Sequence, residues 1–332
     1  MGVLRIHFTS DDLARTSVAE APDPLWETVL SRFRLSERQV GPAFRSWVHR
    51  IRTSSALMAR LRPGARMLAA LAPLGPYFPD FLTPLGGRDG LAAGLDALMS
   101  TPRRRLRAEL GRLAGYAPVP DWARPLADGD VAVLTRVGSA LRDYHEAGIA
   151  AHHDLIQASV EADRARRAQG VLRGGVEGLF ATLRPALRWQ APVLEVDYGV
   201  DRELHLDGRG LRLVPSYFCQ GTPMSLADPD LSPVLIYPID QDLRWSATGA
   251  SAPRALDALL GRTRAAVLRE IDVGATTTHL ARRLRISPAS ASRHTTALRD
   301  AGLVTTHRHG PGVLHTITWL GHRLLERHSD AS

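Results

Sequence analysis

The first clear pattern along the chain is an alternation. Val3–Phe8 (VLRIHF) switches between apolar and polar residues at every step, which predicts a strand. Thr9 or Ser10 follows as a helix N-cap, with Asp11 and Asp12 in the first turn, where the helix dipole favours acidic groups. From about 24 to 190 the apolar positions recur at helical spacing, as in DPLWETVLSRFRL, AFRSWVHRIRTSSALMARL and RRRLRAELGRLAGY. A further helical run, from Asp130 to Gly170, is long and has a heavily charged tail. Prolines and glycines punctuate the region near 63–64, 73–79, 84–87 and 118–125.

From 191 to 246 the period changes to that of strands. VLEVDY, RELHL and LRLVPSYF are strand candidates, and the turn Asp207–Gly210 between the last two predicts a hairpin. PVLIYPI is a continuous apolar run of the kind a buried strand shows, with Pro233 and Pro238 limiting pairing at its ends. A small, polar, turn-rich stretch at 247–254 reads as a linker.

The final segment, 255–328, alternates differently. A first helical stripe carries Leu256, Leu259, Leu260, Thr263, Val267, Leu268 and Ile271, and Gly274 can end it. A second helix starts at Thr276 or Thr277 and turns Leu280, Ala281 and Leu284 inward. Ser287-Pro288 opens a third, with Ser at the N-cap and Pro at the first helical position, and Gly302 closes it. LVTTHRH and VLHTIT then read as two strands around Gly310-Pro311-Gly312, and Thr318 caps a last helix. Three helices, two strands and a helix in that order describe a winged helix-turn-helix.

The expected class is therefore mostly α with a smaller β portion, an α+β protein. It has a helical region over 1–190 for effector sensing or dimerisation, a β-rich section over 191–246, the linker, and the winged helix over 255–328.

Charge sharpens this picture. The chain carries a net +8, all of its basic residues are Arg, and the segment from Arg254 onward holds 12 Arg against six Asp or Glu, a net of +6. Excess positive charge on one small domain is the footprint of a nucleic-acid binder. The helix after the turn is polar on the side a core would not need. Its candidate contacts with duplex DNA are Ser287, Ser290, Ser292, Arg293, His294 and Thr296. Hydroxyls reach phosphate or base edges, and Arg pairs with guanine in two places at once. Thr277 at the preceding helix start and Arg308 and His309 on the wing complete the candidate set.

LARRLRISPASASRHTTALRDAGLV (280–304) resembles the helix-turn-helix of ArsR-family winged-helix repressors, above all in SRH at 292–294 and LRDAGLV at 298–304. LRIHFTSDDLART, DPLWE, DGRGLRLVPSYF and PVLIYP are similar to stretches of actinobacterial regulators that place a long N-terminal region ahead of such a domain. The resemblance implies a homodimeric repressor reading a palindromic operator. Three departures stand out. Arg285 occupies a turn position where the family commonly has Gly, Ala291 and Thr295 replace larger apolar residues, and the family's metal-sensing Cys pair is missing.

Other constellations are weaker. His145, Glu146, His152, His153 and Asp154 cluster in sequence, but a solvated helix face explains them more simply than a metal site. The arginines of TPRRRLRAELGR invite a phosphate-binding reading and are more often a solvated face. The single cysteine, Cys219, excludes a disulfide framework within the chain and reads as a small buried residue. No run of 18 apolar residues, no phosphate-binding glycine loop and no nucleophile elbow appears. The expectation is a cytoplasmic regulator of double-stranded DNA with a small-molecule effector, no cofactor, no membrane contact and no enzymatic activity. The alternative is a small-molecule-binding protein or enzyme whose winged helix serves protein interaction.

Overall fold

The computed structural model describes residues 2–37, 39–239, 256–257, 259–271, 275–309, 312–318, 320–321 and 324–325. The expected linker at 247–254, the helix stop at Gly274 and the Gly310-Pro311 turn lie outside the described residues. The chain is mixed α and β and forms two compact units, 1–240 and 241–332.

In the first unit, strand β1 (Gly2–His7) forms as its alternation predicts, with Leu4 and Ile6 wholly buried. Helix α1 (Ser10–Arg15) follows. Its cap is Thr9, whose hydroxyl accepts from Asp12 N while Asp12 accepts from Thr9 N, a reciprocal capping box. Strand β2 (Ser17–Val18) leads into α2 (Pro24–Ser36), α3 (Arg45–Thr53), α4 (Ser55–Leu71), α5 (Leu91–Met99), α6 (Arg103–Ala114), α7 (Val131–Gly148) and α8 (His153–Ala181). The long helical run from Asp130 is divided at 149–152 into α7 and α8. Trp47 Nε1 donates to Gly148 O at 2.7 Å, so a side chain of α3 takes a carbonyl near the helix end.

Strands β3 (Leu187–Gln190), β4 (Val193–Tyr198) and β5 (Arg202–His205) join β1 in one sheet of order β3-β4-β1-β5. Strands β6 (Arg212–Ser216), β7 (Met224–Ser225) and β8 (Val234–Pro238) join β2 in a second, β2-β6-β8-β7. The hairpin expected around Asp207–Gly210 is therefore not formed. β5 runs parallel to β1 in register Leu4↔Arg202 to His7↔His205, whereas β6 runs parallel to β8 in the other sheet. The turn carries the chain from one sheet to the next. Gly210, at φ +75°, donates its N–H to Asp12 Oδ1 at 2.8 Å.

The β6–β8 ladder explains the apolar run of PVLIYPI. Val214 and Ile236 face the core packed by α2 to α7, and Leu213, Leu235 and Tyr237 face a second core shared with β1, β4 and the end of α8. A parallel pair covered on both sides needs apolar residues at every position. The β-rich section thus has no core of its own separate from the helical region.

In the second unit, α9 (Arg262–Glu270), β9 (Ala275–Thr276), α10 (Thr277–Leu284), α11 (Pro288–Asp300), β10 (Val304–His309) and β11 (Gly312–Ile317) surround one small core. The stripe read across 255–271 is interrupted at Gly261, whose φ of +82° only Gly adopts without strain. Leu259, expected inside, is 70% exposed as a result, while Leu256, Val267, Leu268 and Ile271 are buried.

Candidate nucleic-acid interface

Helix α11 is held at both ends by its own sequence. Ser287 caps it, with Oγ accepting from Ser290 N at 3.1 Å, and Pro288 stands at the first position. At the other end Gly302 sits at φ +70°, Leu303 N donates to Leu298 O at 2.9 Å and Gly302 N to Arg299 O at 2.9 Å. Those are the two bonds of a Schellman motif, with Leu298 and Leu303 both buried beneath it. Thr318 donates its hydroxyl to Gly302 O at 2.7 Å and accepts from Gly321 N at 3.1 Å, so the cap of the last helix also fixes the end of α11.

The same motif joins α10 to α11. Arg285 adopts φ +53°, Ile286 N reaches Ala281 O at 3.0 Å, and Arg285 N reaches Arg282 O. The position usually filled by Gly is thus left-handed with a full side chain on it, a cost of roughly 1 kcal/mol.

Ala291, Thr295 and Leu298 turn one side of α11 into the core. The opposite side exposes Ala289, Ser292, Arg293 and Asp300, with Thr296 half-buried between them. Ser290 and His294 lie on one flank and engage each other, Oγ to Nε2 at 3.2 Å. Partial burial, then Arg264 and Arg293, hold the His294 imidazole below its ordinary value. Thr277 is half-buried at the start of α10, and its hydroxyl is joined to His315. Arg308 and His309 lie on wing strand β10, which pairs antiparallel with β11 from Val304↔Ile317 to His309↔Gly312; their side chains lie outside the described residues.

Two further cations, outside the predicted set, stand beside these residues. Arg282 and Arg285, at the end of α10 and in the turn, are exposed and have no ion pair among the described residues. Arg283, Arg269 and Arg299 differ in being paired, with Glu270, Asp257 and Asp300. The signal was present in the run RRLR, but helical spacing alone does not say which arginine finds a carboxylate.

The other candidate clusters resolve locally. Burial pushes both His145 and His152 down to about 4, and no group of three or more His, Cys, Asp or Glu placed to hold a metal occurs among the described residues. In α6, Arg103 and Arg107 both reach Asp128, Arg105 reaches Glu109, and Arg112 lies over Tyr77. Cys219 is buried, which pushes its thiol up to about 12. No helix among the described residues is long and apolar enough to cross a membrane.

Residues 259–307 match the family model of a helix-turn-helix domain, which spans α9, α10, α11 and most of β10. No curated protein matches the chain, and no solved structure does. The second unit is a helix-turn-helix domain of the kind found in DNA-binding regulators, followed by a two-stranded wing.

Proposed function

We propose that the protein is a transcriptional repressor that binds double-stranded DNA as a homodimer and reads a palindromic operator. In this reading α11 enters the major groove, with Arg293 on a base edge and Ser292 and Thr296 on bases or phosphates. Arg282 and Arg285 neutralise phosphates beside it, and the wing lies against the backbone. Two-fold symmetry would place two copies of α11 about 34 Å apart. The larger N-terminal unit is assigned the regulatory part, dimerisation and response to a small-molecule effector, and the chain is given no catalytic role.

The observation that carries this reading is the division of α11. Its apolar side fills a core while the side bearing Ser292 and Arg293 is exposed. A footprint on the organism's own DNA followed by a fluorescence titration tests it. Arg293→Ala should weaken operator binding by roughly 1–3 kcal/mol and relax the preference at one base pair. Absence of any protected site, or an unchanged affinity in this variant together with Arg282→Ala and Arg285→Ala, would refute the reading.

A further inference from the structure

The first unit carries a second basic surface, and it is not the one the sequence advertises. From Arg38 to Pro79 the chain contains seven Arg and no Asp or Glu. Helices α3 and α4 fall within this stretch and meet at Ser54, which caps α4 by accepting from Leu57 N. Each helix buries one side. Trp47, Val48 and Ile51 hold α3 in the core, and Leu61, Gly64, Leu68 and Leu71 hold α4. Gly64 lies so close to Ala140 O and Tyr144 on α7 that a Cβ there would overlap both, which fixes the rotation of α4 about its axis. The remaining positions face outward, and Arg45, Arg50, Arg60, Arg62 and Arg66 are exposed.

None of these five guanidiniums has an ion pair or a hydrogen bond among the described residues. Asp143 and Glu146, the acidic residues in the exposed part of α7 that runs beside α4, pair with none of them. The contrast with α6 is informative, because its arginines are bonded to Asp128 and Glu109. Five exposed arginines on two joined helices, without a carboxylate partner among the described residues, repel one another and are stabilised by a polyanion. Between and beside those on α4 stand small or flexible residues, Ser55, Ala59 and Ala69, which let a broad, flat partner approach.

We propose that the outer face of α3 and α4 binds the phosphate backbone of duplex DNA, independent of sequence and in addition to the contact made by α11. The choice of DNA over other polyanions rests on the helix-turn-helix reading, since a chain held on DNA by one unit presents its other unit to the same polymer at high local concentration. The chemistry itself is phosphate recognition by guanidinium groups.

The test uses the full chain and two labelled random-sequence duplexes, about 15 and about 40 base pairs long, titrated between 50 and 200 mM salt. Arg60→Ala/Arg62→Ala/Arg66→Ala should reduce the slope of log affinity against log salt by about two to three on the long duplex, and the affinity at least about tenfold, with a smaller effect on the short one. Arg60→Lys/Arg62→Lys/Arg66→Lys, which keeps the charge, should retain most of the slope. Circular dichroism melts matching the parent chain show that both variants fold, as substitutions at exposed positions permit. An unchanged slope and affinity in the alanine variant overturns the proposal. So does binding to phosphatidylserine vesicles that the alanine variant loses while its DNA affinity is intact, which would assign the face to a lipid surface. Should Arg293→Ala leave duplex binding untouched while the α4 variant abolishes it, the recognition-helix reading fails and this one stands.

Discussion

Thr277 Oγ1 lies 2.9 Å from His315 Nε2, and the other nitrogen of that ring, Nδ1, lies 3.0 Å from Thr306 Oγ1. One buried imidazole therefore ties the first helix of the helix-turn-helix to both wing strands, since His315 itself belongs to β11 and Thr306 to β10. Burial, then the charge of Arg299, holds its pKa below the ordinary value for histidine. A histidine whose folded-state value is depressed contributes stability that is present above its unfolded value, about 6.5, and is lost as the pH falls below it. Thermal melts of the second unit's signal should drop in midpoint between neutral and mildly acidic pH. His315→Gln, which can bond but not titrate, should flatten that dependence. His315→Ala should cost roughly 1–3 kcal/mol at neutral pH by leaving the threonine hydroxyls unpaired. An unaltered pH profile in the Gln variant would show that the titration belongs elsewhere.

Arg285 sets stability against binding. Its left-handed backbone favours Gly, and its side chain is exposed without a carboxylate partner among the described residues. Arg285→Gly should raise the unfolding free energy of the second unit by roughly 1 kcal/mol. The same substitution removes a cation beside α11, so DNA affinity should fall and the salt slope should shrink by about one. Denaturant titration and anisotropy on the same samples measure both. A gain in stability with no change in DNA binding would leave the turn a structural peculiarity.

What the sequence revealed and what it concealed divide along a physical line. Ser287-Pro288, Gly302 and Thr318 act on backbone groups within a few residues of themselves, and each performs the capping role its local pattern predicts. The mixed α and β class and the helix-turn-helix are legible for the same reason. Strand partners are not local. DGRG looks like a hairpin turn, yet β5 pairs with residues nearly 200 positions earlier because β1 offers it an edge. The carbonyl of Gly148 at the helix break is taken by a tryptophan 101 positions away, and Glu270 pairs with Arg283 rather than with Arg282. Nothing in the spacing of either segment records those partners.

Asp163 on α8 sits at the centre of a buried network. Its carboxylate accepts from Tyr237 OH at 2.6 Å and pairs with Arg167, which is itself buried and also bonds to Thr182 O. Removing the negative charge strands a guanidinium in the core. Asp163→Asn should therefore destabilise the first unit by about 3–5 kcal/mol. Tyr237→Phe deletes only one hydrogen bond to a charged acceptor and should cost about 1.5–3 kcal/mol. Urea unfolding of the full chain, followed by the fluorescence of its tryptophans, distinguishes them. Equal effects from the two substitutions would mean that Arg167 finds another partner and that the ion pair is not the centre of the network.

Glu27 is enclosed at the start of α2, where it accepts from Tyr217 N at 2.8 Å, Phe218 N at 3.0 Å and Ser216 Oγ at 3.1 Å. Burial raises its pKa from 4.5 to about 7 against the pull of those three donors, and Asp23 nearby is raised by burial to about 6. For a carboxyl whose folded-state value lies above its unfolded one, the stabilising contribution is complete below the unfolded value and is lost as the pH rises through the folded one. The first unit should accordingly lose on the order of 3 kcal/mol from this group as the pH rises from about 4.5 to about 7. His145 and His152, depressed to about 4, act with the opposite sign, since their contribution is lost as the pH falls below about 6.5. The two effects oppose one another between about pH 4.5 and 6.5, and above that range only the carboxyl still lowers stability. Glu27→Gln separates the two limbs. It should lower stability throughout, because one amide end donates where Tyr217 N or Phe218 N also donates, and it should remove most of the decline above about pH 6.5 while steepening the acid limb, where the carboxyl no longer offsets the histidines. If denaturation midpoints between pH 6 and 9 decline as steeply in Glu27→Gln as in the parent chain, the carboxyl is ionised throughout and the three donors outweigh its burial.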